Sequence, residues 1–180
     1  MELSALLEEN REAILEGWFE RIIGTYPDVT SGFLAKQKDR FQNPVGYAIT
    51  QSIGPIYDQV ASEMDADRLL EALDGIVRIR SVQEFTPTET IGFVFDLKAV
   101  RRAEIGDRIR SLEKWNELAE LESRVDRVAL LAFEKYTECR ENLHRVRNRE
   151  IESRAARALG TVKGRSAISQ HEEEPIDDDV

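Results

Sequence analysis

The chain has 180 residues, 41% of them apolar and 33% charged, a length and balance that suit one globular domain and exclude a disordered or membrane-embedded polymer. Its 25 basic against 35 acidic residues leave a net charge of −10. Phosphate backbones repel such a surface, so nucleic acid is not an expected partner. No run approaches the roughly 18 apolar residues of a bilayer span, so no membrane insertion is expected either. Met1-Glu2-Leu3-Ser4 lacks the basic start of a secretory leader, and the single cysteine, Cys139, has no internal disulfide partner. A cytoplasmic, reducing setting is the expectation.

Apolar residues recur at helical spacing along most of the chain. Leu3, Leu6, Leu7, Ile14, Trp18 and Ile22 predict one helix over residues 2–23, closed by Gly24 and Pro27. A short segment around Phe33 and Leu34 follows, and then a basic stretch, 36–40. Asn43-Pro44 reads as an N-cap with proline at the first helical position. The helix it opens carries Val45, Ile49, Ile53, Ile56 and Val60, with a kink or break expected at Gly54-Pro55. Asp65 or Asp67 caps the next helix, whose stripe is Leu69, Leu70, Leu73, Ile76, Val77 and Val82. Thr86-Pro87-Thr88-Glu89 is a capping box: the threonine accepts from the glutamate N–H and the glutamate reaches back to the threonine N–H. Ile91, Phe93, Val94, Phe95, Leu97 and Val100 make the helix after it apolar on several sides, which predicts a central, buried helix.

Neither proline nor glycine interrupts Leu112 to Arg157. Leu118, Leu121, Val125, Val128, Ala132, Tyr136, Cys139, Leu143 and Val146 follow one another at steps of three and four with one stutter, a long helix suited to pairing. Its second half is basic: residues 140–157 hold six arginines against three glutamates, a local net of +3. Residues 172–179 then contain six acids in eight positions. The expected division is a helical domain over 1–157 and a disordered acidic tail over 158–180. The basic segment could attract that tail or an anionic partner.

Catalytic equipment is sparse. The two histidines, His144 and His171, come too late to supply an axial haem ligand. There is no Gly-rich phosphate loop and no nucleophile elbow. No cofactor, no metal and no enzymatic activity is expected. Cys139 reads first as a small apolar member of its stripe and second as a redox-sensing thiol beside Arg140. In Arg78-Ile79-Arg80-Ser81-Val82-Gln83, polar groups lie at the edge of the core. Arg78 and Gln83 either tie helix ends to a loop or line a pocket.

Three stretches carry a resemblance. They are Phe41-Gln42-Asn43-Pro44-Val45-Gly46-Tyr47, Asp74-Gly75-Ile76-Val77-Arg78-Ile79-Arg80-Ser81-Val82-Gln83-Glu84-Phe85-Thr86-Pro87, and Phe93-Val94-Phe95-Asp96-Leu97-Lys98. With Tyr136-Thr137-Glu138-Cys139-Arg140-Glu141, they resemble the RsbRD N-terminal domain family of RsbT co-antagonists, the sensor side of bacterial stressosome proteins, over roughly residues 4–155. The resemblance implies an all-α fold, a globin-like, haem-free helical bundle with a long C-terminal helix, which dimerises. In full-length relatives a STAS output domain follows. Here 23 residues follow position 157, where such a domain needs on the order of 100, so a standalone member is expected.

Three functions follow as expectations. The first is a non-enzymatic sensor or regulatory module in bacterial stress signalling, a homodimer joined through Val125, Val128, Ala132, Tyr136 and Cys139, with a protein partner still to be identified. The second is a binder of a small apolar or fatty-acid-like ligand, in a pocket among Trp18, Phe93, Phe95 and Phe133 with polar ends at Arg78 and Gln83. The third is an accessory subunit of a cytosolic redox or respiratory complex, docking by the arginine-rich helix.

Overall fold

The computed structural model describes residues 2–36, 41–83, 85–111 and 114–171. They form seven helices and, among the described residues, no strand: α1 (Leu3–Glu9), α2 (Arg11–Ile23), α3 (Asp28–Lys36), α4 (Pro44–Ala61), α5 (Ala66–Val82), α6 (Pro87–Ser111) and α7 (Trp115–His171). The fold is an all-α helical bundle. Contacts divide the chain into two compact units, Met1–Cys139 and Arg140–Val180. The first holds α1–α6 and the start of α7, and it contains the core. In the second, α7 continues through His171, past the expected end at 157. The acidic run 172–179 and most of the basic stretch 36–40 lie outside the described residues.

Within the first unit, Ile14, Trp18 and Ile22 place one face of α2 at the centre, fully buried. Trp18 donates from Nε1 to the Phe93 carbonyl at 2.6 Å and stacks on the Phe93 ring at 6.0 Å, joining α2 to α6. The expected single helix over 2–23 is two. Asn10 leaves helical geometry, and its Nδ2 donates to the Leu6 carbonyl at 2.8 Å. An asparagine bonding its own backbone competes with the helix ladder.

Asn43 caps α4 from two sides. Its Oδ1 accepts from the Gly46 N–H at 2.8 Å, and its Nδ2 donates to the Leu34 carbonyl of α3 at 2.9 Å. A Cβ at position 46 would run into the Asn43 side chain, so the cap requires glycine three residues on. That is the physical content of the Asn-Pro-Val-Gly motif. Of the kink or break expected at Gly54-Pro55, the break does not occur: α4 runs unbroken through Pro55. The ring lies on the exposed side, where the carbonyl it displaces from the ladder can turn to water. The Tyr57 hydroxyl of α4 donates to the Leu7 carbonyl at 2.9 Å, and burial pushes its pKa up to about 12.

Asp65 is the cap of α5, accepting from the Asp67 and Arg68 N–H groups at 3.0 and 3.2 Å. α4 and α5 pack closely because Gly75 faces Ser52, and a Cβ at Gly75 would stand 2.7 Å from the serine Oγ. The capping box of α6 closes as the sequence predicts. Thr86 N–H donates to Glu89 Oε2 at 2.8 Å and Glu89 N–H to Thr86 Oγ1 at 3.3 Å. α6 is not buried all round, however. Thr90, Phe93, Val94, Leu97, Val100, Ile105 and Ile109 face inward at helical spacing, while Phe95 points outward, 48% exposed.

α7 packs antiparallel to α6. Arg101 of α6 pairs with Glu122, and Lys98, one turn earlier, reaches Asp126 at 2.6 Å, one turn later. Lys135 extends the contact to Asp74 of α5 at 3.0 Å. The face of α7 between these ion pairs carries Leu121, Val125, Val128, Ala129, Ala132 and Tyr136, all buried in the unit's own core. The stripe expected to meet a second chain through Val125, Val128, Ala132 and Tyr136 is therefore closed by α7's own neighbours. Fully buried side chains leave no surface for another molecule. Cys139, at the end of the stripe, is partly buried, and desolvation raises its thiol pKa, against the thiolate a redox sensor uses.

Candidate functional site

Two places in the first unit stand out: a buried arginine and a group of exposed apolar side chains. Arg80 extends the α5 stripe Leu69, Leu73, Ile76, Val77 by one more helical step, and so points inward. It is 0% exposed. One terminal nitrogen, Nη1, donates to the Glu89 carbonyl in the first turn of α6 at 2.7 Å. The other, Nη2, donates to the Ile22 carbonyl at the end of α2 at 3.0 Å and to Thr25 Oγ1 at 2.7 Å. Three rings surround the guanidinium, Phe85 at 5.0 Å, Tyr26 at 5.3 Å and Phe93 at 5.7 Å. One planar group thus ties together α2, α5 and α6. The negative end of the α2 dipole and the π faces offset part of its desolvation cost.

All three acceptors are neutral, and Nε has no hydrogen-bond partner. Burial pulls the guanidinium pKa below its usual range, and burial pushes the Tyr26 phenol up against the opposing pull of Arg80. Arg101, the other arginine buried among the described residues, differs in having a carboxylate partner, Glu122.

The second place is on the outer face of α6 and α7. Phe95 lies one turn before Lys98, whose Nζ sits 5.8 Å from the Phe95 ring centre. Leu130 and Phe133 lie one and two turns beyond Asp126, and they are 71% and 52% exposed. Continuing the antiparallel register by one turn brings Phe95 level with Leu130, with Phe133 a turn further on. All three are exposed apolar side chains within two helical turns of the Lys98–Asp126 ion pair.

The six residues expected to line one ligand pocket do not come together. Trp18 and Phe93 are stacked inside the core, whereas Phe95 and Phe133 are on the surface. Arg78 is exposed and pairs with Asp74, 3.7 Å away on its own helix. Gln83 is exposed and accepts from the Tyr26 hydroxyl at 3.2 Å. The arginine that enters the core is Arg80, two residues from the expected one. The signal was available in the register: position 80, not 78, continues the steps of three and four from Leu69. Two grooves do occur. One of about 770 Å³ runs between α2 and α4 with Leu15, Phe19, Ile23, Leu34 and Ile53 in its walls. The other, about 980 Å³, lies between α4 and α5 and is more polar. No group of three or more histidine, cysteine or acidic residues suited to a metal ion occurs among the described residues. Among them too, no helix is long and apolar enough to cross a membrane.

These features define a closed helical bundle without an assembled catalytic constellation among the described residues. The model of the RsbT co-antagonist protein rsbRD N-terminal domain matches residues 12–151, and the chain belongs to that family. The family is one of stressosome-type signalling domains. Neither the curated proteins nor the solved structures contain a match.

Proposed function

We propose that the protein is a non-enzymatic, haem-free sensor or regulatory interaction module of bacterial signalling, cytoplasmic and dimeric, with the globin-like character that its family resemblance implies. The exposed strip Phe95, Leu130 and Phe133 carries the reading. Three large apolar side chains at one place on a rigid helix pair are what an interface needs. They replace the buried stripe of α7 as the surface for a second copy. The adjacent lysine and aspartate supply a polar rim. Burying such a strip stabilises association by roughly 25 cal/mol per Å² of apolar area before the entropy of association is subtracted.

Light scattering on Phe133→Asp and Leu130→Asp tests this. Both positions are outside the core, so the fold is expected to survive while the mass falls from dimer to monomer. An unchanged dimer, or a wild-type chain that is already monomeric, rejects the strip as the interface.

A second reading, binding of a small apolar ligand, is favoured by the α2–α4 groove with its five aliphatic and aromatic walls. Native mass spectrometry that finds co-purified lipid supports it, and loss of that lipid in Phe19→Asp locates it.

A further inference from the structure

We infer that Arg80 is the cation of a binding site for a small carboxylate on a short apolar body, entering between the α2–α3 turn and the start of α6. This deepens the sensor reading by naming the class of molecule sensed.

A guanidinium does not lose its proton in a protein, and here it is wholly buried with only neutral acceptors. The chain satisfies the other arginine buried among the described residues differently, placing Glu122 against Arg101. Arg11, too, is held by Asp58 through two hydrogen bonds of 2.8 and 2.9 Å. Arg80 alone among these three makes no direct ion pair, the Asp96 and Glu89 carboxylates acting on it only through space, and its Nε, like that of Arg101, has no hydrogen-bond partner. Taking such a cation out of water is costly, and here neutral acceptors and aromatic faces, not a paired carboxylate, offset that cost.

An open depression of about 400 Å³ lies on the surface near the buried Arg80, lined by Thr25, Tyr26, Pro27, Gln83, Phe85 and Glu89, with Thr30 at its edge. Four of these also touch the guanidinium: Thr25 and Glu89 accept from it, and Tyr26 and Phe85 lie against its face. Those side chains separate the depression from the charge. Phe85 is half-buried and meets Tyr26 edge-on at 5.1 Å, and entry of a ligand to the wholly buried arginine requires this ring to swing aside.

Chemistry then selects the ligand. With both Nη2 hydrogens already donated, the Arg80 Nε–H is left to give a carboxylate one charge-assisted hydrogen bond. Tyr26, Pro27 and Phe85 offer apolar walls for a short body. The Gln83 amide adds a donor. The Glu89 carboxylate at the rim is tied back to the Thr86 N–H and hydroxyl, which fix its position while it keeps its negative charge. The volume is near the low end of ligand pockets, about 300–1,000 Å³, and suits a small acid.

Nitrogen-15 spectroscopy of the full chain reads the site directly, since the Arg80 Nε–H has no hydrogen-bond partner. Its resonance is assigned by its loss in Arg80→Lys, or through bonds from the Arg80 backbone should that variant fail to fold. Sodium benzoate is expected to move it saturably and sodium acetate to move it at higher concentration. Sodium chloride at matched ionic strength is expected to leave it in place. No movement with either carboxylate overturns the inference, as does an equal movement with chloride or a response to inorganic phosphate alone. Dimer dissociation by Phe133→Asp is read by mass and not by this resonance, so the interface and the anion site stand or fall separately.

Discussion

Replacing Arg80 by methionine isolates what the buried fork contributes to stability. The side chain makes three hydrogen bonds from a charged donor, and such bonds contribute about 1.5 kcal/mol each at the lower end of their range. Three rings add about 0.5 kcal/mol each. Against that gross gain stands the desolvation of the cation, several kcal/mol, which the variant recovers. Two of the acceptors also keep other donors: the Ile22 carbonyl still receives the Thr25 hydroxyl at 2.7 Å, and the Glu89 carbonyl still lies within α6. The expected net loss for Arg80→Met is about 3 kcal/mol, or a fall in Tm of about 6–12 °C for a chain of this size. Arg80→Lys is expected to lose at least as much, because it keeps a charge in the same place and cannot span acceptors on α2 and α6 at once. Urea titration followed by tryptophan emission measures both. Trp18 is buried in the core and reports directly, with Trp115, which is exposed, replaced by phenylalanine to remove its background. A loss below about 0.5 kcal/mol, within the range of ordinary surface substitutions, or a lysine variant clearly more stable than the methionine one, refutes the clamp.

Three further outcomes follow from particular contacts. Val128→Asp puts a carboxylate where the native side chain is fully buried, so near-ultraviolet dichroism is expected to show loss of tertiary packing; a folded protein that has merely become monomeric would restore the buried stripe as an interface. Gly75→Ala is expected to cost about 1–3 kcal/mol through overpacking against Ser52, and Gly75→Ala with Ser52→Ala to recover most of it in thermal melts, because the second change removes the Oγ at 2.7 Å. The Thr86 N–H and hydroxyl hold the Glu89 carboxyl below its ordinary value of 4.5. Its contribution is therefore present above the unfolded pKa and disappears as the pH falls through the lower folded one. Glu89→Gln is expected to flatten that part of the acid limb in urea midpoints measured between neutral and acid pH, and an unchanged limb rejects the assignment.

Local chemistry made several parts of this protein readable before any coordinates. Caps are the clearest case. Asn43, Asp65 and the Thr86–Glu89 box act on N–H groups two or three residues away, so their partners are written beside them in the chain. The all-α class and family membership were legible for a similar reason, since helical spacing and short motifs are one-dimensional signals. The inward turn of Arg80 was also written in the register of α5, masked by the expectation that charge stays outside.

What lay beyond the sequence is whatever depends on the neighbour across the core. The stripe of α7 looks the same whether it meets a second chain or its own α5 and α6. The ion pairs Arg101–Glu122 and Lys135–Asp74, between residues far apart in sequence, pin it inward. Phe93 and Phe95 are two residues apart on an apolar helix, yet one stacks on Trp18 and the other faces water. A helix carries its periodicity in its own residues, but which side is covered is decided by the helices that pack around it, and only the assembled fold brings those together.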